Sequence, residues 1–216
     1  MFIIDDYNIN DSLVDSLFAL DENCPWMKID FYRSLSKRKL QKNMWLYDQL
    51  TNVIHDPTIM SRVNWLAPGF CYYSSIILDK LGFKDIKFYD YDPSVKYVNY
   101  QSTKLIKNAN VEHIMLDVVF DREFIRKDPD LVVCLSMSSL GNDFFMLNEN
   151  YKNNPMFALM GSSKCKRGNI HVFESIDKFI ESTGIKNILY SGEKNIHGEI
   201  YYLVIGHKED DGCYKL

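Results

Sequence analysis

VNWLAPGFCYYSSIILDKLGFKDIKFYDYDP, residues 63–93, is the stretch that decides the fold. An apolar run ends in the small-residue turn Ala67-Pro68-Gly69, a helix-length segment follows to Leu81, and a β-rich run over 86–89 ends at Asp90. Strand, tight turn, helix, strand and acid make up half of a nucleotide-type crevice. In an open parallel sheet, ligands sit beyond the carboxyl ends of the strands, with the first turn close to the ligand and the acid after strand two close to a ribose.

Working outward, the same rhythm continues downstream. Residues 94–106 suit a helix, 111–116 a third strand ending at Asp117, and 121–126 a short helix. Residues 130–135 are nearly all apolar, as in a strand buried on both faces. Residues 140–149 suit a helix and 156–160 a fifth strand. Strict alternation predicts a parallel sheet covered on both sides. The end departs from this pattern. A helix over 174–182, closed by Gly184, leads into a strand over 185–191, and the polar loop 192–198 joins it directly to a strand over 199–207. Two strands joined so closely pair antiparallel.

Upstream, residues 1–62 lack strand rhythm and read as a helical extension to the α/β domain of residues 63–216. Asn10 or Asp11 suits the cap of one helix, and Asp30 the cap of a second over 31–54. The second helix has an apolar stripe that includes Leu35, Trp45 and Leu50, and a basic face of Arg33, Lys37, Arg38, Lys39 and Lys42. Such a run reads first as a solvated face and second as a phosphate or partner contact.

The totals set bounds. With 216 residues, 46% hydrophobic and 25% charged, the chain has the composition of an ordinary globular protein. A net charge of −4 argues against a surface built as a whole to hold nucleic acid, so contact through the local basic patch is not favoured. No apolar run reaches the roughly 18 residues needed to span a bilayer, and the start MFIIDDYNIN carries acids where a signal peptide carries positive charge. A cytoplasmic protein without a membrane contact is expected. Five scattered cysteines with no C-x-x-C pair suit reduced thiols, and Cys134 within strand four reads as core. The five histidines are too dispersed for a metal centre.

Five strand-and-helix steps followed by an antiparallel hairpin, over residues 63–207, resemble the class I S-adenosylmethionine-dependent methyltransferase fold. The resemblance implies a Rossmann-like, mostly parallel seven-stranded sheet with a C-terminal antiparallel hairpin. It also implies S-adenosylmethionine as cofactor and an unidentified methyl acceptor as partner. Where that family has a G-x-G-x-G turn, this chain has Ala67, Gly69 and Cys71, with only the central glycine kept. Asp90 stands where the family has the acid that accepts both ribose hydroxyls, with Asp92 as competitor or helix cap. Asp117 matches an acid that accepts from the adenine amino group, and Ser136 opens the loop after strand four, where the family places chemistry.

That loop, LSMSSLGND, has no Asn-Pro-Pro-Tyr-like motif and no Pro-Cys nucleophile. A lysine-rich tetrad for ribose methylation would want an acid where Ser136 or Met137 stands; Lys164, Lys166 and Arg167 come late and read as solvent loop, and Glu199 opens the final strand. Any substrate pocket is expected among Tyr72, Ser136, Met137 and Asn142, under a lid from residues 26–47 with Trp26, Trp45 and Tyr47 as walls. The altered turn leaves a second reading open: a non-enzymatic interaction or assembly protein that keeps the fold and binds a protein partner.

Overall fold

The computed structural model describes residues 9–55, 60–104, 106–140, 151–164 and 171–208. Its elements in chain order are α1 (Ile9–Asn23), a 3-10 turn (Pro25–Met27), α2 (Lys28–Ser34), α3 (Lys37–Val53), β1 (Arg62–Leu66), α4 (Tyr72–Lys80), β2 (Asp85–Asp90) and α5 (Pro93–Thr103). There follow β3 (Asn110–Met115), a 3-10 turn (Arg122–Phe124), β4 (Leu131–Cys134), α6 (Met137–Leu140), β5 (Met156–Ser162), α7 (Ile176–Thr183), β6 (Asn187–Ile196) and β7 (Glu199–His207).

The seven strands form one sheet in the order β3-β2-β1-β4-β5-β7-β6. Strands β1 to β5 are parallel, and β7 runs antiparallel between β5 and β6. Sequence order reverses between β1 and β4, so the crevice at the carboxyl ends of those two strands is the topological switch point.

Side-chain alternation builds two cores. Val63 and Trp65 face α3 and α4 with Val133, Ala158 and Leu203, while Leu66 faces the other layer with Tyr89, Val132, Phe157 and Phe179. The N-terminal helices share in this packing: Trp45, Leu46 and Leu50 of α3 belong to the first core, and Leu20 and Phe31 cluster with Val98 of α5.

Four local features differ from the sequence reading. The helix expected over 31–54 is broken in two, because Ser36 adopts an extended conformation and its hydroxyl accepts the Lys39 N–H at 3.4 Å, capping α3. Asp30 lies in the first turn of α2 and pairs with Arg33 instead of capping. The segment over 121–126 forms only a 3-10 turn. The hairpin loop expected over 192–198 shrinks to His197-Gly198, since β6 continues to Ile196. Both turn residues have positive φ (53° and 75°), a pairing that matches strand twist. Of the helix expected over 140–149, only its start lies within the described residues, as the end of α6.

One polar network crosses the floor of the sheet. Asn64, buried in the middle of β1, exchanges two hydrogen bonds with Arg126, donating to its carbonyl at 2.8 Å and accepting from Nε at 2.9 Å. The Arg126 guanidinium also reaches the Asp85 carboxylate at 2.6 Å and the Val63 carbonyl at 2.5 Å, which ties the segment before β4 to β1 and β2. Replacing Arg126 by Met keeps the stem and the backbone carbonyl that accepts from Asn64, but leaves the Asn64 Oδ1, the Asp85 carboxylate and the Val63 carbonyl without the guanidinium donor. Arg126→Met is expected to lower unfolding free energy by about 3 kcal/mol in denaturant titration.

Candidate functional site

The turn after β1 is left-handed at two positions, only one of which is a glycine. Ala67 has φ 47° and Gly69 φ 59°, and the Ala67 N–H extends the ladder by donating to the Tyr89 carbonyl at 2.8 Å. A left-handed conformation costs an alanine about 1 kcal/mol, so the surroundings must impose it. They do so through two side chains. Asp90 Oδ2 accepts the Gly69 N–H at 2.8 Å; Asn99 donates to the Gly69 carbonyl at 2.8 Å and accepts the Cys71 N–H at 3.0 Å.

Asn99, 1% exposed, is the residue that sequence reading missed. It sits inside α5, where Asn is a poor choice for a helix interior, and that mismatch was the available signal. Cys71 turns its side chain into the core, where burial pushes the thiol up to about 12. Contact with a ligand at this position would fall to backbone.

Asp90 and Asp92 divide their work. Asp92 Oδ1 accepts the Ser94 N–H at 2.8 Å and caps α5, with Pro93 in the first helical position. Asp90 takes the Gly69 N–H on one oxygen and the Asp92 N–H, at 3.1 Å, on the other, which leaves further acceptor sites on both oxygens. Burial raises its pKa, and the N–H groups pull against that rise.

A narrow gap of about 10 Å³ opens beside Asp90, between Pro68, Lys96, Asn99 and His113. The His113 ring stacks on Phe88 at 5.1 Å, and its Nε2 is buried with no hydrogen-bond partner among the described residues. Burial, then the nearby Lys96 charge, pushes its pKa down to about 4, against the pull of a hydrogen bond with the Asn99 backbone.

Asp117 is not brought to this gap. Its carboxylate accepts the Val119 and Phe120 N–H groups at 2.9 and 3.2 Å and so shapes the turn after β3. Ser136 lies at the other side of the switch point. It borders a second narrow gap with Ala67, Pro68 and Phe70, and beyond that a cleft of about 770 Å³.

The cleft is where the basic residues of the sequence gather. Arg33, Lys37, Arg38, Lys39 and Lys42 form one wall; Ser136, Ser138, Ser139 and Ser162, from the ends of β4 and β5 and from α6, form another. The sequence reading of a solvated basic face does not hold for Lys42, which is 8% exposed. It donates to the Leu135 carbonyl at 3.3 Å and stands over the Tyr201 ring at 4.6 Å. Glu199, 2% exposed at the start of β7, is paired with Arg38 at 3.5 Å. Burial first, and then the Glu199 carboxylate, raises the Tyr201 hydroxyl pKa.

The expected aromatic walls take other places. Tyr72 is buried against Tyr73 and Ile76, Trp26 faces solvent, and Trp45 donates to the Tyr190 hydroxyl at 3.1 Å inside the first core. Lys164 donates to the Gly198 carbonyl at 3.2 Å, tying the segment after β5 to the hairpin turn. Asn142, Lys166 and Arg167 lie outside the described residues.

No family model matches the sequence, and no curated protein matches it. Solved structures do match the fold. Magnesium protoporphyrin IX methyltransferase (ChlM) from Synechocystis PCC 6803, solved with bound SAH, aligns over 92% of this chain and 99% of its own, with a TM-score of 0.63 at 13% identity. The N-methyltransferase NodS from Bradyrhizobium japonicum WM9 aligns over 82% and 99%, with a TM-score of 0.57 at 12% identity. M. capricolum TrmK in complex with SAH aligns over 74% and 69%, with a TM-score of 0.51 at 10% identity. The chain has the class I S-adenosylmethionine-dependent methyltransferase fold.

Two measurements probe the site itself. Asn99→Ala leaves the Gly69 carbonyl and the Cys71 N–H without partners and is expected to cost about 2 kcal/mol or more in denaturant titration. His113 binds its proton more weakly folded than unfolded, so between its unfolded pKa near 6.5 and its folded pKa of about 4 the unfolded chain takes up more protons. Stability therefore falls as pH falls through that window. The loss from this group is about 2 kcal/mol by pH 5, and it should be absent in His113→Phe.

Proposed function

We propose that this protein is an S-adenosylmethionine-dependent methyltransferase whose cofactor lies beside the switch point, across the ends of β1 and β2. The observation that carries this reading is the hold of Asp90 on the Gly69 N–H, which pins a left-handed turn beside a half-buried carboxylate that still has acceptor sites. Nothing within 4 Å of Gly69 occupies the direction in which a Cβ would point, so the backbone there can be approached closely. The unpartnered Nε2 of His113 beside Asp90 is a second polar atom waiting for a ligand group.

These residues fit the cofactor in kind. Asp90 would accept the ribose hydroxyls, two acceptor oxygens meeting two adjacent donors. Gly69 and Ala67 would let backbone approach the amino-acid portion, and Ser136 would border the reacting end. The gap beside Asp90 has room for about one water, so Pro68 and Lys96 must part to admit a nucleoside. S-adenosylmethionine supplies a methyl group already activated on a sulfonium, and catalysis then depends mainly on alignment and exclusion of water. That demand suits a site where half-buried Asp90 and buried Asn99 and Cys71 fix the loop and, among the described residues, Ser136 and not an acid or histidine follows β4.

The competing reading, a non-enzymatic module, gains no support from the bulky residues of the turn. Phe70 packs edge-on to Phe31 of α2 at 5.4 Å, and the Tyr73 hydroxyl donates to the Leu35 carbonyl, so neither ring fills the gap beside Asp90.

Calorimetric titration with S-adenosylhomocysteine tests the proposal. Saturable one-to-one binding is expected, and Asp90→Ala should weaken it at least about tenfold, the scale of one hydrogen bond to a charged group. Absence of binding at millimolar ligand would sink the methyltransferase reading.

A further inference from the structure

The basic cleft has a feature that fold stability does not explain. Helix α3 begins Lys37-Arg38-Lys39 with no acid in its first turn. Helix N-termini carry the positive end of the macrodipole and favour acids, so three consecutive cations there have the wrong sign for the helix itself. Arg33 and Lys42 bring two more cations to the same cavity. Against them the described lining offers one carboxylate, Glu199, which is buried and engaged by Arg38, and Asp30, outside the lining, pairs with exposed Arg33. The opposite wall consists of hydroxyls, among them Ser136, Ser139 and Ser162, and hydroxyls donate readily to anionic oxygens. All this stands on a chain whose net charge is −4.

Resting on the methyltransferase reading above, we infer that the cleft is the acceptor site and that the acceptor is a small molecule bearing a phosphate or polyphosphate group. Position connects the two sites. Lys39, Lys42, Leu135 and Ser136 line both the cleft and the narrow gap that reaches Ala67 and Pro68, so an anion held by the α3 cations sits next to the loop. Size selects a small molecule. A cleft of about 770 Å³ falls within the roughly 300–1,000 Å³ usual for small-ligand sites. A nucleic-acid strand would instead call for a basic stripe continuing along the surface, on a domain that is basic overall. Concentrating five cations in one concavity suits a compact polyanion, whose charge-assisted bonds come from several side chains at once.

The test uses the full chain, inorganic tripolyphosphate as probe, and Arg33→Gln combined with Lys37→Gln. These two side chains line the cleft but not the gap toward Ala67. Calorimetry at low salt should show tripolyphosphate binding to the wild type and at least about tenfold weaker binding to the double variant. The melting temperature of Lys37→Gln alone should stay level or rise, because a wrong-signed charge leaves the helix start; a cation retained for the fold would lower it. Two results overturn the inference: no tripolyphosphate binding by the wild type at millimolar probe, or equal binding by the double variant. Tighter binding of a single-stranded oligonucleotide through the same two residues overturns the choice of a small molecule. S-adenosylhomocysteine titrated in parallel reports on the cofactor separately, and tripolyphosphate binding without it would overturn the acceptor role.

Discussion

The short hydrogen bonds by which Asp90 and Asn99 hold Gly69 are the constraint on which the rest of the site depends. A turn between a buried strand and a buried helix must satisfy its backbone groups without water, and here two side chains from the next strand-and-helix unit do so. Their donors and acceptors are spaced so that the peptide units on either side of Phe70 cannot rotate without breaking a bond. That hold explains why Ala67 tolerates a left-handed conformation and why Cys71 can be committed to the core. In the proposed function the carboxylate that would meet the cofactor is also the group that sets the shape of the loop, which would couple binding and loop order through one residue.

Much of the fold was legible because it follows from periodicity and punctuation. The apolar run of β4, the Gly184 cap after α7 and the direct connection of the last two strands are local signals, and the structure follows them. The breaks were less legible. Ser36 interrupts what reads as one long helix because a cap competes with continuation, and sequence alone does not say which wins. The hairpin closes over His197-Gly198 because strand pairing carries Gly192 to Ile196 into the ladder, a tertiary effect that overrides their loop-like composition.

The site was legible in part. Asp90 announced itself by its place after a strand, and Asp92 by the proline that follows it. Asn99 did not, because its role depends on α5 lying against a turn thirty residues upstream. The basic face reads as solvated when only its own helix is considered. The sheet ends, contributed by residues a hundred positions away, turn it into one wall of a cleft. Long-range closure of this kind has no footprint in a window of sequence.

The insertion of β7 between β5 and β6 has a consequence for how the chain is made. Along β7, Leu203 and Ile205 enter the first core and Val204 the second, and the strand supplies hydrogen bonds to β5 and β6, which would otherwise each present an open edge there. Yet it is the last element of the described chain to leave the ribosome. Until then the nascent protein holds an exposed β5 flank, and both cores lack the layer that seals them. The β5 edge therefore closes only through a non-local pairing, the slow kind of contact in folding.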